Sequence, residues 1–140
     1  MRIVTNSSAE TEALGERIAS RLTGGEVLAL FGPMGMGKTA FTRGLAHGLG
    51  VKGEVSSPTF ALVHEHAGKI PLYHFDMYRV SSWDDLYSTG FFDYLESNGV
   101  LVIEWSENIE GALPETAVRI VVSPGEMEDQ RIFEIEGLEL

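Results

Sequence analysis

The segment Gly32-Pro-Met-Gly-Met-Gly37-Lys38-Thr39 has the spacing G-x-x-x-x-G-K-[ST] of a loop that holds nucleotide phosphates. Glycine allows positive φ, so that backbone N–H groups can approach phosphate oxygens closely. In such loops the lysine reaches the β- and γ-phosphates, and the hydroxyl of the next residue binds Mg²⁺. We therefore predict a catalytic role for Lys38 and a metal-binding role for Thr39. The predicted nucleotide contacts of the loop are Gly32, Met34, Gly35, Met36, Gly37, Lys38, Thr39 and Ala40.

Two acidic residues at strand ends are candidates for the second part of this site. An acidic side chain at the end of an apolar strand beside the loop commonly assists Mg²⁺ binding. Glu104, which ends the apolar run 100–103, is the first candidate. Asp76 is the second, and strand alternation places it on the same face as His74. That pair could orient an attacking water or bind Mg²⁺ through water, or it could be a hydrogen-bonded pair without a catalytic role.

Four further residues have a functional and a structural interpretation. Thr59 follows the predicted loop helix, where a threonine can sense the γ-phosphate, although Ser-Pro-Thr is also ordinary loop sequence. Arg79 and Arg131 could neutralise charge on a transferring phosphoryl group, or they could form surface ion pairs. Trp105 could cover the site, anchor a partner or pack in the core.

The elements around the phosphate loop follow from hydrophobic spacing. Residues 9–22 form a predicted amphipathic helix with Ser7 or Ser8 as its cap, and residues 26–31 form a buried strand. The loop comes next, followed by a helix over 38–49. Residues 60–66 and 70–77 form a predicted hairpin, and residues 82–87 and 91–97 form short helices. A buried strand over 100–103 and a hairpin of strands 117–122 and 131–135 complete the prediction.

This order predicts an α/β protein with a P-loop NTPase-like three-layer fold. The central sheet is mixed, with a parallel core and antiparallel additions. The length of 140 residues fits one domain over residues 1–140. The sequence has no cysteine, which excludes disulfide scaffolds, thiolate nucleophiles and cysteine-ligated metal sites. No segment resembles a membrane span or a signal peptide, so we expect a cytoplasmic protein.

The negative charge is concentrated in the last third of the chain. Residues 1–92 carry 9 acidic and 8 basic side chains, whereas residues 93–140 carry 12 acidic and 2 basic ones, which together give the net charge of −11. Such a surface repels a nucleic-acid backbone, so we do not expect this chain to grip RNA or DNA unaided. The excess serves either solubility or a basic protein partner.

The motifs together resemble the TsaE (YjeE) family over nearly the whole chain. The resemblance is carried by the loop at 32–39, Ser57-Pro-Thr-Phe60, His74-Phe-Asp-Met-Tyr-Arg79 and Val102-Ile-Glu-Trp105, in this order and spacing. It implies a bacterial Mg²⁺-dependent ATPase required for threonylcarbamoyladenosine (t6A) at tRNA position 37. It further implies TsaB and TsaD as partners, with tRNA contacted only through their complex.

The same resemblance implies roles for individual residues. Lys38 would hold the β- and γ-phosphates, while Thr39 and Glu104 would hold Mg²⁺. Asp76 and Thr59 would assist hydrolysis, and Trp105 would lie at the site. Ser8 and Arg131 would lie close to the nucleotide.

Two other functions are compatible with the residues. A small-molecule kinase usually has an arginine-rich lid, and this chain has only 2 basic residues after position 92. A regulatory subunit could bind ATP without hydrolysing it. A GTPase would be expected to have an Asn-Lys-x-Asp segment, which is absent from the sequence.

Overall fold

A computed structural model describes residues 1–33, 37–53 and 63–140. Within these ranges, seven strands form one mixed sheet in the order β1-β7-β6-β2-β5-β4-β3. The four central strands β6, β2, β5 and β4 run parallel, whereas β1 pairs antiparallel with β7, β7 with β6, and β3 with β4. The predicted parallel core with antiparallel additions is confirmed. The strands are Arg2–Thr5 (β1), Val27–Phe31 (β2), Val63–His66 (β3), Leu72–Asp76 (β4), Val100–Glu104 (β5), Val118–Pro124 (β6) and Arg131–Glu136 (β7).

Helices cover both faces of this sheet, as the three-layer prediction requires. Their bounds are Ser8–Ala19 (α1), Lys38–Gly48 (α2), Trp83–Ser88 (α3) and Phe91–Leu95 (α4), with a 3₁₀ helix over Ser106–Ala112. One core joins α1 and α2 to the sheet through buried side chains such as Ile18, Phe41 and Leu45. A second core lies on the opposite face, where Leu86 and Phe91 pack with β4 and β5.

The helix α1 begins where its capping residue satisfies the first amide groups. Ser7 has extended backbone angles, and its hydroxyl accepts a hydrogen bond from the Glu10 N–H at 3.1 Å. The alternative cap, Ser8, is instead the first helical residue. The helix ends at Ala19, three residues before the predicted end.

Glycines allow α1 and α2 to pack with their backbones in close contact. A Cβ placed on Gly44 would overlap the Glu12 carbonyl oxygen, and one on Gly15 would overlap the Phe41 carbonyl oxygen. Any larger side chain would therefore push the helices apart. This contact fixes the position of α2, whose N-terminus carries the phosphate-loop lysine.

Two elements were absent from the prediction. Strand β1 has only four residues and gains its hydrogen bonds from β7, at the far end of the chain. The 3₁₀ helix follows Trp105, whose φ of 59° turns the chain sharply after β5. Residues 60–62, the first part of the strand predicted over 60–66, lie outside the described residues. The predicted loop at 56–59 also lies outside them. No helix in the described part of the chain is long and apolar enough to span a membrane.

Candidate active site

The two described ends of the phosphate loop take conformations that glycine provides. Gly32 has φ of 127°, and a Cβ there would overlap the Val122 carbonyl oxygen of β6. Gly37 has φ of 84° and stands at the N-cap position of α2 without a side-chain cap. Gly37 has no side chain that could cap the first amide groups of α2. The helix dipole favours an anion at this same end.

Lys38 is held inside a set of polar and aromatic groups. Its side chain is 2% exposed, and Nζ donates to the Gly32 carbonyl oxygen at 2.6 Å. The ammonium also lies 5.1 Å from the ring centroid of Trp105. Burial lowers the pKa of Lys38, while the charges of Glu104, then of Glu107 and Asp76, act in the opposite direction. Burial outweighs these charges, so the pKa of Lys38 lies below its ordinary value.

The two candidate carboxylates lie side by side at the carboxyl ends of parallel strands. Asp76 of β4 is the register partner of Glu104 of β5. Glu104 is 9% exposed, and its Oε2 lies 2.6 Å from His74 Nε2. His74 is completely buried, so its ring is held by packing as well as by this hydrogen bond. The prediction that His74 and Asp76 share a face is consistent with this arrangement, but the partner of His74 is Glu104.

Asp76 is in a different environment from Glu104. Its Oδ1 accepts a hydrogen bond from the Tyr78 N–H at 2.9 Å. Burial raises the pKa of Asp76 and the neighbouring Glu104 charge adds to the rise, whereas the Tyr78 N–H, His74 and Lys38 lower it. The net direction is upward, which favours proton uptake by this carboxylate.

The oxygen donors at this edge of the sheet suit Mg²⁺. Within residues 1–33, 37–53 and 63–140, no three or more histidine, aspartate or glutamate side chains cluster as a metal-binding group. In phosphate-loop proteins, however, Mg²⁺ takes ligands from one hydroxyl, one or two carboxylates, phosphate oxygens and water. Thr39, in the first turn of α2, and Glu104 supply a hydroxyl and a carboxylate of that kind.

A model of the protein family described as "Threonylcarbamoyl adenosine biosynthesis protein TsaE" matches residues 5–133. The chain belongs to the TsaE family. Over 120 residues it is 41% identical to the tRNA threonylcarbamoyladenosine biosynthesis protein TsaE of Treponema pallidum. This match covers 86% of this chain and 89% of that relative. The Bacillus subtilis protein of the same name is 41% identical over 114 residues, which is 81% of this chain and 71% of the relative.

A solved structure supports the same family membership. The crystal structure of YdiB from Bacillus subtilis matches with a TM-score of 0.76 and 34% sequence identity. The match covers 95% of this chain and 82% of that chain. The resemblance to the TsaE family and the predicted fold class are both confirmed.

Most of the predicted site residues that the structure describes come together in this TsaE-family member. Lys38 contacts Gly32 and Trp105, and its ammonium is within electrostatic range of Glu104 and Asp76. Ala40 is buried in the first turn of α2 beside Thr39. The predicted residues Met34, Gly35, Met36 and Thr59 lie outside the described residues.

Ser8 and Arg131, the two predicted nucleotide contacts outside the loop, have different surroundings. A Cβ on Gly37 would lie 3.4 Å from Arg131 Cγ and 3.8 Å from Thr11 Cγ2, so the Arg131 stem and α1 both adjoin the loop end. The Arg131 guanidinium donates to the Glu128 and Gln130 carbonyl oxygens at 2.6 and 2.9 Å. Ser8 is exposed at the start of α1.

Glu107 is a site residue that sequence reasoning missed. Its Oε2 accepts a hydrogen bond from the Gly32 N–H at 3.3 Å, and its charge opposes the lowering of the Lys38 pKa. The sharp turn at Trp105 and the 3₁₀ helix after it return this carboxylate to the loop. No motif marks Glu107 in the sequence, because it is one of many acidic residues in the last third of the chain.

Proposed function

We propose that this chain is an ATP-hydrolysing subunit for t6A modification of tRNA position 37, that it acts with TsaB and TsaD, and that residues 1–140 form one Mg²⁺-dependent ATPase domain. The observation that supports this most is that Lys38 begins α2 within electrostatic range of Glu104 and Asp76, which end neighbouring parallel strands. The family name, shared by the Treponema pallidum and Bacillus subtilis relatives, supplies the pathway.

In this proposal the loop and Lys38 bind the triphosphate of ATP. Gly32, Met34, Gly35, Met36, Gly37 and Ala40 are the proposed phosphate contacts of the loop, and Ser8 and Arg131 the proposed nucleotide contacts outside it. Lys38 exchanges its hydrogen bond to the Gly32 carbonyl for phosphate oxygens. A bound Mg²⁺ would neutralise charge on the β- and γ-phosphates, and Thr39 and Glu104 would hold it.

Asp76, assisted by Thr59, orients the water that attacks the γ-phosphorus. The new P–O bond forms to this water while the bond to the β–γ bridging oxygen breaks, and Asp76 accepts the water proton. The raised pKa of Asp76 suits that acceptance because protonation relieves an unfavourably buried charge.

His74 acts in this mechanism by positioning Glu104. Its ring is completely buried, and Nε2 lies 2.6 Å from Glu104 Oε2. A carboxylate held by such a hydrogen bond keeps one orientation, which stabilises the metal site that it forms.

The proposed partners and location follow from charge as well as from the family. Residues 93–140 carry a net charge of −10 (2 basic minus 12 acidic side chains), so partner proteins rather than this chain would contact the tRNA backbone. We place the activity in the cytoplasm, where such tRNA chemistry would occur.

Phosphate release from Mg-ATP, measured with and without purified TsaB–TsaD, tests the proposal. We expect slow hydrolysis by the chain alone and faster hydrolysis with the pair. Glu104→Ala should abolish most of this rate, whereas Glu115→Ala, which removes an exposed loop carboxylate, should leave it unchanged.

Two results would contradict the proposal in different ways. Transfer of the γ-phosphate to a nucleoside or sugar would identify a kinase. ATP that strengthens the complex without phosphate release, with or without the pair, would identify a regulatory subunit.

A further inference from the structure

The α3–α4 face of the sheet carries a group of exposed aromatic side chains. In the described part of the chain, seven large apolar side chains are strongly exposed, and the aromatic ones are Tyr78, Trp83 and Tyr87, at 53%, 57% and 64%. The half-buried ring of Phe92 joins the last two, with centroids 6.5 Å from Trp83 and 4.9 Å from Tyr87. We name Trp83, Tyr87 and Phe92 the aromatic patch. Exposed tryptophan and tyrosine that are already ordered by stacking are typical anchors of protein interfaces.

A groove beside Trp83 extends this surface toward the 3₁₀ helix. It has a volume of about 320 Å³ and lies between the start of α3 and residues 107–112. Val80 and Leu86 contribute apolar lining, while Glu107 and Glu110 contribute carboxylates. Glu110 is already paired with Arg119, so Glu107 is the lining carboxylate without a basic side-chain partner among the described residues. A side chain with an apolar stem and a positive head, such as lysine or arginine, matches this lining.

The charge around the aromatic patch is mainly negative, although the exposed Arg79 precedes it in the chain. Residues 80–113 contain three aspartates and four glutamates, of which Glu104 is buried, against no lysine, arginine or histidine. Asp84 and Asp93, next to Trp83 and Phe92, are both exposed. Such a surface attracts a basic protein and repels nucleic acid, anionic lipid and a second copy of itself.

The groove beside the aromatic patch is also connected to the site. Asn108, which lines the groove, donates from its amide to the Met77 and Tyr78 carbonyl oxygens at 2.9 and 3.3 Å. The ring of Tyr78 lies 5.0 Å from Trp105, and the Lys38 ammonium lies 5.1 Å from that same indole ring. A protein bound in the groove would therefore contact Asn108, which is linked to Lys38 through Tyr78 and Trp105.

We infer that the aromatic patch and the adjoining acidic groove form the docking surface for a basic segment of the partner protein. Trp83 and Tyr87 are the apolar anchors, and the carboxylates around the groove receive lysine or arginine side chains. The inference rests on the proposed function, which supplies TsaB–TsaD as the partner to test.

Calorimetry with purified TsaB–TsaD and the full chain tests the anchors. Trp83→Ser and Tyr87→Ser should each weaken binding by about 30-fold, because each truncates an interface anchor. The ATP affinity of the isolated chain should stay unchanged, since within the described residues no ring contact or hydrogen bond joins either side chain to Lys38. Met127→Ser, which removes a side chain that is 72% exposed on the β6–β7 turn, is the matched control and should change binding by less than about twofold.

The rate of association tests the charge. Asp84→Lys should slow association about tenfold at low salt, and the difference should vanish at high salt. Glu139→Lys makes the same change of charge at an exposed position near the C-terminus and should have little effect. Circular dichroism melting curves establish that each variant is folded.

The outcomes separate the docking surface from the proposed function. If the unchanged chain does not bind TsaB–TsaD, both the partner assignment and the docking surface are wrong. If it binds and the Trp83 and Tyr87 variants bind equally well, only the docking surface is wrong. Sedimentation that shows Trp83-dependent self-association would also overturn the inference, because it would make a second copy the occupant.

Discussion

The two faces of the sheet are covered by helices of different length. On one face α1 has 12 residues and α2 has 11, and they contact each other through Gly15, Gly44 and Gly48. On the other face α3 has 6 residues and α4 has 5, and they leave Trp83 and Tyr87 in solvent. The helices of the first face pack directly on each other, whereas those of the second leave aromatic side chains exposed. We call the first the closed face and the second the open face.

The two faces meet the candidate site from opposite sides of the sheet. The closed face includes α2, whose first residue is Lys38. The open face includes the 3₁₀ helix, which carries Glu107 and follows β5. The candidate site residues Lys38 and Glu104 therefore lie where elements of the two faces come together.

The largest expected effect comes from Lys38, which the closed face supplies. Lys38→Ala should lower the rate of ATP hydrolysis on the order of 100-fold or more, because it removes the cation that faces the developing phosphate charge. TsaB–TsaD should still bind the nucleotide-free variant through the aromatic patch. Lys52→Ala, at an exposed lysine beyond α2, is the control. Normal hydrolysis by Lys38→Ala would contradict the role given to this lysine.

The contact between α1 and α2 provides the next test. Gly44→Ala should lower the free energy of unfolding by about 3 kcal/mol, since its Cβ would overlap the Glu12 backbone. Gly111→Ala, on the 3₁₀ helix, should change it by less than about 0.5 kcal/mol, because no atom in the described part of the chain lies within 4 Å of the added methyl group. Urea denaturation measures both. Equal effects would show that the first face is not packed more tightly than the second.

His74 tests the positioning of Glu104. His74→Leu should weaken Mg²⁺ binding by about 10- to 100-fold, because Glu104 loses the partner that orients it. His74→Gln keeps an N–H donor and should restore part of the affinity. Calorimetry of ATP binding with and without Mg²⁺ separates this effect from general damage. An equal loss in the absence of Mg²⁺ would argue against positioning.

The smallest expected effects concern two aspartates whose pKa values shift in opposite directions. Burial raises the pKa of Asp76 above 3.8, so its contribution to stability is lost as pH rises through its folded-state pKa. Asp76→Asn should therefore raise the melting temperature at pH 7, and this gain should disappear below about pH 4.

The pKa of Asp85, on the open face, is shifted in the opposite direction to that of Asp76. The Ser81 N–H lowers its pKa below 3.8, so its contribution is present at neutral pH and is lost as pH falls through the folded-state pKa. Asp85→Asn should lower the melting temperature at pH 7 and have little effect in acid. Melting curves between pH 3 and pH 8 measure both variants. Parallel pH profiles would show that the two environments do not differ as described.

Local sequence was sufficient for much of the fold. The loop spacing predicted a strand before Gly32 and a helix from Lys38, and both elements are present. Such elements can be predicted because turn residues and apolar spacing act over short distances in the chain. The hairpins β3–β4 and β6–β7 were predicted from neighbouring strands. Strand β1 was missed, because four residues carry little periodic signal and its partner, β7, is more than 120 residues away.

The sequence alone determined the family, the phosphate loop and the candidacy of Asp76 and Glu104, because those properties depend on residue type and spacing. Only the tertiary structure decided which side chains meet. It paired His74 with Glu104, returned Glu107 to Gly32 and left Trp83 and Tyr87 uncovered. These contacts depend on strand order, register and the sharp turn at Trp105, which arise from packing between segments that are distant in the chain.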